Sequence, residues 1–151
     1  MKGLMIETKV GPLTVLEDDQ GICGVHFGNS LSPDIIMEET PLLREAKRQL
    51  EEYFAGDRKE FRLPLSMNGT PFQKTVWRAL CTIPYGETRT YGQIAAQVGN
   101  PKGSRAIGMA NHNNPIAIIV PCHRVVGAKG ALTGYAGGLD IKKALLDLEQ
   151  S

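Results

Sequence analysis

Hydrophobic residues near the start of the chain form short runs that are separated by turn-forming residues. The apolar runs cover residues 4–6, 13–16 and 22–27, with Gly11-Pro12 after the first run and Asp-Asp-Gln-Gly at 18–21 after the second. Apolar runs of this length between Gly, Pro and Asp residues are typical of β-strands joined by tight turns. The pattern therefore predicts an antiparallel β-meander in this part of the chain.

A helix is predicted to follow the meander. Thr40 stands before Pro41, the arrangement of a helix N-cap followed by proline at the first helical position. We expect this helix to cover one face of the sheet and to end at Gly56. The segment 58–68 is expected to be an extended connection into a second lobe. The apolar residues with helical spacing are Leu42, Leu43, Ala46, Leu50, Tyr53 and Phe54.

Capping boxes mark two helix starts in the second half of the chain. The segments TPFQ at 70–73 and TYGQ at 90–93 each place threonine three residues before glutamine, so that each side chain can bond the backbone N–H of the other residue. The helix that starts at the first box is predicted to end before Pro84. Its apolar face consists of Phe72, Val76, Trp77 and Leu80.

The second capping box opens a short helix that is predicted to end at Gly99. Asn100-Pro101 is then expected to start a third helix, which reaches about Asn111. Two short helices joined by a tight turn in a basic segment fit a helix-turn-helix, and a purely structural helix hairpin fits the same pattern. The residues at 104–110 are mostly small and include one arginine, which favours close approach to a narrow groove over readout of base edges.

A buried strand is predicted to lead into a candidate nucleophile. After Asn114-Pro115, residues 116–120 are apolar and mostly β-branched, and Pro121-Cys122-His123-Arg124 follows. A cysteine beside histidine and arginine is in a setting that favours the thiolate, whereas most free cysteines are buried and inert. In an extended chain Cys122 and His123 point to opposite faces, so the histidine would act through a water unless the backbone turns.

The charges are distributed unevenly between the two halves of the chain. Residues 1–66 carry 8 basic and 12 acidic side chains, whereas residues 67–151 carry 9 basic and 4 acidic ones. Between Met67 and Lys129 the only acidic residue is Glu87, so this segment is strongly basic. The second half is therefore suited to face a polyanion, and an ordinary solvated basic surface is the alternative.

Length and cysteine usage narrow the class of protein. A chain of 151 residues builds one hydrophobic core or two small lobes. Cys23, Cys81 and Cys122 are odd in number and far apart, which indicates neither a disulfide framework nor a zinc ribbon, and the first two are expected in the core. No segment has the length and hydrophobicity of a signal peptide or a membrane helix, so we expect a cytoplasmic protein.

Five segments of the second half resemble motifs of a known family, the 6-O-alkylguanine-DNA alkyltransferases (methylated-DNA–protein-cysteine methyltransferases). PCHRV at 121–125 resembles the active-site signature, and Asn114-Pro115 resembles the asparagine hinge. TYGQ at 90–93 and SRAIG at 104–108 are similar to the helix-turn-helix, and GYAGG at 134–138 is similar to the loop that walls the guanine pocket. The first half resembles the family only in length and outline.

The resemblance implies an α/β fold of the α+β class with two lobes. Residues 1–66 would form an N-terminal antiparallel β-sheet lobe with a covering helix. Residues 67–151 would form a mainly helical C-terminal lobe with a winged-helix-like helix-turn-helix, which would carry DNA binding and alkyl transfer. Only Cys23 and His26 are candidate metal ligands in the first lobe, and because a structural zinc site needs four ligands we expect no metal and no cofactor.

The resemblance also assigns catalytic roles to five residues. Cys122 would be the nucleophile, with His123 acting through water and Glu149 orienting the imidazole. Asn114 would hold the hinge between helix and active strand, and Tyr91 would assist departure of the guanine and contact the DNA backbone. An acid at the end of a helix, like Glu149, is ordinarily a solvated surface residue. The apolar face of that helix is predicted to be Ile141, Ala144, Leu145 and Leu148.

A DNA-binding surface and a base pocket follow from the same resemblance. Arg105 would fill the gap that an extruded nucleotide leaves in the duplex. Ala136 stands where many members of the family have serine, so one donor to the guanine oxygen is missing. The remaining residues expected to contact DNA or the substrate are Thr90, Ser104, Ala106, Gly108, Arg124, Val125 and Tyr135.

The predicted function is DNA repair by a single-turnover methyltransferase. The protein would act as a monomer on alkylated guanine in double-stranded DNA, bound through the minor groove, and repair of 4-O-alkylthymine stays open. The alternatives are a thiol hydrolase built on Cys122, His123 and Glu149, and a DNA-binding protein that senses lesions without transfer. No oxyanion element is recognisable, which argues against the hydrolase, and Cys122 itself argues against the sensor.

Overall fold

The structure, a computed structural model, describes all residues from 1 to 151. The chain divides into two compact units, Met1–Asn68 and Gly69–Ser151. The first unit contains a four-stranded sheet and one helix, and the second unit is mainly helical, so the fold belongs to the predicted α+β class. None of the helices combines the length and the hydrophobicity that a membrane span requires.

The first unit is built around its sheet. Strands β1 (Lys2–Thr8), β2 (Gly11–Glu17) and β3 (Ile22–Phe27) pair antiparallel, and β4 (Ile36–Met37) pairs parallel to β1, in the order β3-β2-β1-β4. The predicted meander is therefore confirmed. Its apolar runs supply the buried residues of the sheet, among them Leu4, Ile6, Leu13, Val15, Ile22 and Val25.

Helix α1 (Pro41–Phe54) packs on this sheet, as predicted. The Thr40 side chain accepts a hydrogen bond from the Leu43 N–H, which confirms the N-cap. The connection after the helix runs beside β3, where the Ile22 N–H donates to the Pro64 carbonyl at 2.8 Å. The helix turns its apolar stripe towards the core and buries Leu43, Ala46, Leu50, Tyr53 and Phe54.

Four helices and a small parallel sheet form the second unit. They are α2 (Pro71–Leu80), α3 (Tyr91–Gln97), α4 (Ser104–His112), α5 (Leu139–Gln150), β5 (Arg89–Thr90) and β6 (Val125–Val126). Both predicted capping boxes are present at the starts of α2 and α3. The buried Trp77 of α2 donates its indole N–H to the Ala110 carbonyl of α4 at 2.9 Å, which ties the two helices together.

Helix α4 begins later than predicted. Asn100-Pro101 forms a turn in which the Gly103 N–H donates to the Asn100 carbonyl at 2.8 Å, and the helix starts at Ser104. Asparagine followed by proline favours the first two positions of a β-turn as well as a helix start, so the sequence signal was ambiguous. The two short helices of the predicted helix-turn-helix are present, with this turn between α3 and α4.

The strand predicted at 116–120 is wrong. These residues are buried, but they form a compact turn in which the Val120 N–H donates to the Ile116 carbonyl at 3.0 Å and Ile118 has a φ of 70°. A positive φ is unfavourable for a β-branched residue, so neighbouring groups must hold it there. Asn114 does so, because its Nδ2 donates to the Val120 carbonyl at 2.9 Å and its Oδ1 accepts from the Ile116 N–H at 3.0 Å.

Candidate active site

Cys122 follows this buried turn directly. It begins a single 3₁₀ turn, Cys122–Arg124, and its own N–H donates to the Val120 carbonyl at 2.8 Å. Only 5% of the residue is exposed. The backbone therefore turns between Cys122 and His123 and is not extended there.

The protonation state of the Cys122 sulfur is set by burial and three neighbours. Burial raises the pKa of the thiol, because the buried thiolate is poorly solvated. Hydrogen bonds from the Asn114 and Tyr135 side chains and the charge of Lys142 act in the opposite direction. The prediction that the adjacent histidine and arginine favour the thiolate is thus corrected: burial favours the neutral thiol, and the groups that favour the thiolate come from elsewhere in the fold.

His123 and Glu149 form a buried pair. The Nε2 atom of His123 lies 2.7 Å from Oε2 of Glu149, and the side chains are 0% and 1% exposed. Burial lowers the pKa of His123 and Glu149 raises it, and with burial the larger effect the imidazole is neutral. A neutral imidazole beside a carboxylate carries its proton on the nitrogen that faces the carboxylate. Nδ1 is then a buried acceptor, and no group of the protein donates to it.

Arg124 holds Glu149 in place. Its Nε and Nη2 atoms lie 2.8 and 3.1 Å from the two carboxylate oxygens, and Nη1 donates to the Ile83 carbonyl at 2.7 Å. Arg124 is 7% exposed, and its guanidinium is engaged inside the protein, so it is not placed to contact DNA. This placement does not support the predicted contact of Arg124 with DNA, and its charge instead compensates a buried carboxylate.

Lys142 was not among the predicted site residues, yet it is completely buried beside the thiol. Its Nζ atom donates to the Thr133 carbonyl at 3.0 Å and lies 6.0 Å from the centre of the Tyr135 ring. Burial lowers the pKa of Lys142, and the attraction of Cys122 opposes this effect. The lysine therefore places a poorly solvated positive charge where a thiolate would form.

Helix α5 delivers both Lys142 and Glu149 to this region. The residues that it buries are Lys142, Leu145 and Glu149, whereas Ala144 of the predicted apolar face is exposed. The buried face of α5 could not be predicted from apolar residues alone, because two of its three buried positions carry charged side chains. Their spacing of three and four residues around Leu145 was the available signal, since residues at this spacing share one face of a helix.

A loop between β6 and α5 contributes two further groups. Thr133 donates a hydrogen bond from Oγ1 to the hydroxyl of Tyr91 at 2.9 Å, and Tyr135 is buried against the thiol site. Val125 at the start of β6 is completely buried, and Ala136 is exposed. Val125 and Tyr135 thus lie beside Cys122, and Tyr91 is linked to the same loop through Thr133.

Several of the predicted DNA-contacting residues lie on α4 or at the start of α3. Thr90 caps α3, with its hydroxyl accepting from the N–H at the third helical position. Gly108 is half-buried, and a Cβ there would lie 3.9 Å from the Tyr91 ring, so this ring stands beside α4. The exposed residues of the first turn of α4 are Ser104, Arg105 and Ala106.

The other two cysteines lie apart from this site. All three cysteines are free thiols. Cys23 is buried in β3 as expected, whereas Cys81 at the end of α2 is exposed and does not belong to the core. No group of three or more His, Cys, Asp or Glu side chains lies close enough to bind a metal ion.

Comparison with known proteins agrees with the sequence motifs. The family described as 6-O-methylguanine DNA methyltransferase matches twice, with its DNA binding domain at residues 71–151 and its ribonuclease-like domain at residues 1–67. The first half thus carries a family match that its sequence pattern did not reveal.

Individual relatives match over nearly the whole chain. A methylated-DNA–protein-cysteine methyltransferase of Methanosarcina acetivorans is 56% identical over 151 residues, which cover 97% of each chain. The constitutive enzyme of that name from Bacillus subtilis is 51% identical, covering 95% of this chain and 92% of its own. The structure of Mycobacterium tuberculosis OGT in complex with DNA superimposes with a TM-score of 0.93 at 46% identity, covering 99% of this chain and 93% of the other. The chain belongs to the 6-O-methylguanine DNA methyltransferase family.

Proposed function

We propose that this protein repairs 6-O-alkylguanine in double-stranded DNA by moving the alkyl group to its own Cys122. The observation that carries the proposal is the arrangement around the thiol: a buried cysteine is followed directly by a histidine whose Nε2 is held by Glu149 at 2.7 Å. The names of the relatives, which are methylated-DNA–protein-cysteine methyltransferases, support the same chemistry.

The reaction is a displacement at a saturated carbon. The sulfur of Cys122 forms a bond to the alkyl carbon, and the bond between that carbon and the guanine oxygen breaks. The thiol proton passes through a water to Nδ1 of His123, and the departing guanine anion takes a proton from the Tyr91 hydroxyl. The imidazolium proton then returns through solvent to the Tyr91 oxygen, so that the net change moves the thiol proton to the guanine and no charge accumulates. Glu149 stabilises the imidazolium while it exists. The product is a thioether, which has no carbonyl for water to attack, so each molecule reacts once.

Burial of the Cys122 thiol is consistent with a reaction that begins only when the damaged base is bound. Because burial raises the pKa of Cys122, the free protein holds a protected thiol and not a permanently reactive thiolate. Lys142, Asn114 and Tyr135 each favour the thiolate, so they lower the cost of ionisation when a substrate occupies the pocket. Transfer is then coupled to binding of the damaged base.

The damaged base must leave the duplex before it can reach a buried sulfur. Extruding a nucleotide costs a few kcal/mol, which contacts to the DNA must offset. We assign these contacts to α3 and α4, whose exposed residues include Ser104, Arg105 and Ala106. Small side chains let α4 approach the minor groove closely, and Arg105 would occupy the gap in the base stack. Gly108 and Thr90 lie on the same pair of helices.

The site is a poor fit for the rival function, that of a thiol hydrolase with Cys122 as its nucleophile. Hydrolases of this kind stabilise an oxyanion with backbone N–H groups beside the nucleophile. Here the N–H of Cys122 is already bonded to the Val120 carbonyl at 2.8 Å. The attack on a saturated carbon needs no such donor, because no oxyanion forms on the substrate.

Substitution of the nucleophile tests the proposal. Cys122→Ser should abolish methyl transfer from duplex DNA that contains 6-O-methylguanine, while the dissociation constant for that duplex changes by less than about threefold, since the sulfur contacts the alkyl group and not the DNA backbone. Cys81→Ser, which alters the exposed thiol, should transfer at the wild-type rate. Transfer that persists in Cys122→Ser would contradict the proposal.

A further inference from the structure

Thr133 joins two groups of the site that come from different helices. Its Oγ1 donates to the hydroxyl of Tyr91, at the start of α3, with a distance of 2.9 Å. Its carbonyl accepts from Nζ of the buried Lys142 on α5, at 3.0 Å. Lys142 in turn interacts electrostatically with Cys122, so Thr133 contacts both Tyr91 and a residue that acts on the nucleophile.

The hydrogen bond between these two hydroxyls limits where the Tyr91 oxygen can lie. Each hydroxyl carries one O–H and two lone pairs, so the Tyr91 oxygen keeps a hydrogen-bonding position for a partner in the pocket. Thr133 thus holds the Tyr91 hydroxyl in place, with 2.9 Å between the two oxygens.

Thr133 lies between two hydrogen-bonded turns. The Gly127 N–H donates to the Ala131 carbonyl at 2.7 Å before it, and the Gly138 N–H donates to the Tyr135 carbonyl at 2.9 Å after it. A Cβ at Gly127 would lie 3.1 Å from the Thr133 methyl group, so that methyl packs closely against the backbone. The β-branched side chain has few rotamers, and the methyl contact fixes where the hydroxyl points.

We infer that Thr133 is a positioning residue for alkyl transfer: its hydroxyl holds the Tyr91 hydroxyl where it assists the departing guanine, and its carbonyl holds the Lys142 ammonium near Cys122. This inference rests on the proposed function and adds a residue to it. Thr133 itself contacts neither the sulfur nor the base, and it acts through Tyr91 and Lys142.

Two substitutions separate the hydroxyl from the rest of the side chain. Thr133→Val keeps the methyl packing and the carbonyl but removes the hydroxyl, and it should slow transfer by roughly fivefold, the effect of one ordinary hydrogen bond. Thr133→Ser keeps the hydroxyl but loses the methyl contact, so its transfer rate should lie between those of the wild type and Thr133→Val. Single-turnover kinetics at saturating lesion duplex measure the transfer step, and the half-saturating concentration should be unchanged.

A double-mutant cycle with Tyr91→Phe shows whether the hydroxyl acts through Tyr91. In the Tyr91→Phe background Thr133→Val should cause almost no further loss, because the hydrogen bond is already absent. Equal losses in both backgrounds, or a Thr133→Ser variant as slow as Thr133→Val, would overturn the inference and leave the proposed function intact. Failure of the wild-type protein to methylate Cys122 would overturn the proposed function and the inference together. Thermal unfolding of each variant verifies that it is folded.

Discussion

The Nε2 atom of His123 lies 2.7 Å from Oε2 of Glu149, and both side chains are shielded from solvent. No protein group bonds Nδ1 of His123, so in the proposed mechanism Nδ1 accepts the thiol proton and Glu149 gives the imidazolium a negative partner. Glu149 is held by Arg124 in turn, so the orientation of the imidazole depends on both residues.

Glu149→Gln should slow alkyl transfer near neutral pH. Without the carboxylate, the pKa of His123 falls further, since Glu149 is the group that raises it, and the imidazole accepts the thiol proton less readily. At higher pH hydroxide can ionise the thiol directly, so part of the lost rate should return. This prediction is tested by measuring the transfer rate against pH for Glu149→Gln, the wild type and the exposed control Glu87→Gln. Superimposable profiles for all three would show that Glu149 has no part in proton transfer.

Arg124→Met should strongly destabilise the protein. The substitution keeps most of the side-chain volume but leaves the Glu149 carboxylate buried without its cationic partner, a change that costs roughly 3–5 kcal/mol of unfolding free energy. Urea unfolding measures the loss. The exposed ion pair between Lys143 and Asp147 on α5 provides the control, because Lys143→Met should alter stability only slightly. A stable Arg124→Met protein with weakened DNA binding would indicate instead that Arg124 contacts DNA.

Lys142→Met should make the thiol harder to ionise. The lysine charge lowers the pKa of Cys122, so its removal should raise the pKa of the thiol and slow methyl transfer at neutral pH by roughly tenfold for each unit of pKa. The rate of Cys122 alkylation by iodoacetamide across a pH series reports the thiol pKa independently of DNA. Lys143→Met, one residue further along the same helix, is the matched control. An unchanged pH dependence in Lys142→Met would show that Lys142 does not affect the reactivity of Cys122.

Much of this arrangement could be predicted from local sequence signals. The capping boxes located α2 and α3 because side chain and backbone bond within four residues. The resemblance to the family located Cys122, His123 and Glu149, and the structure brings the last two into contact. Sequence signals of this kind predict the structure where the interacting residues are close in sequence or where one motif contains the residues of the site.

The errors arose where tertiary contacts decide the outcome. Residues 116–120 are apolar like a strand, but Asn114 closes them into a turn through side-chain bonds that no periodicity reveals. The resemblance predicts that Arg124 contacts DNA or the substrate, whereas its guanidinium is bonded to the buried carboxylate of Glu149 on α5. Lys142 was missed because a buried lysine is rare and requires partners that are distant in sequence.

Arg105→Ala should impair repair of duplex DNA more than reaction with the free alkylated base. The proposed task of the arginine is to fill the gap left by the extruded nucleotide, and a free base leaves no gap. Rates with lesion duplex and with free 6-O-benzylguanine are compared for the variant, the wild type and Arg78→Ala, which alters an exposed arginine of α2. Equal losses on both substrates would indicate that Arg105 supports the pocket or the fold.

The central claim is that Cys122 accepts the alkyl group and that the protein is consumed. The most direct test is to incubate wild-type protein with an excess of duplex DNA containing 6-O-methylguanine and to count and map the methyl groups by peptide mass spectrometry. The account predicts one methyl group per protein molecule, located on the peptide that contains Cys122, with no further reaction after that. Methyl groups on Cys23 or Cys81, or continued repair beyond one lesion per protein molecule, would contradict it.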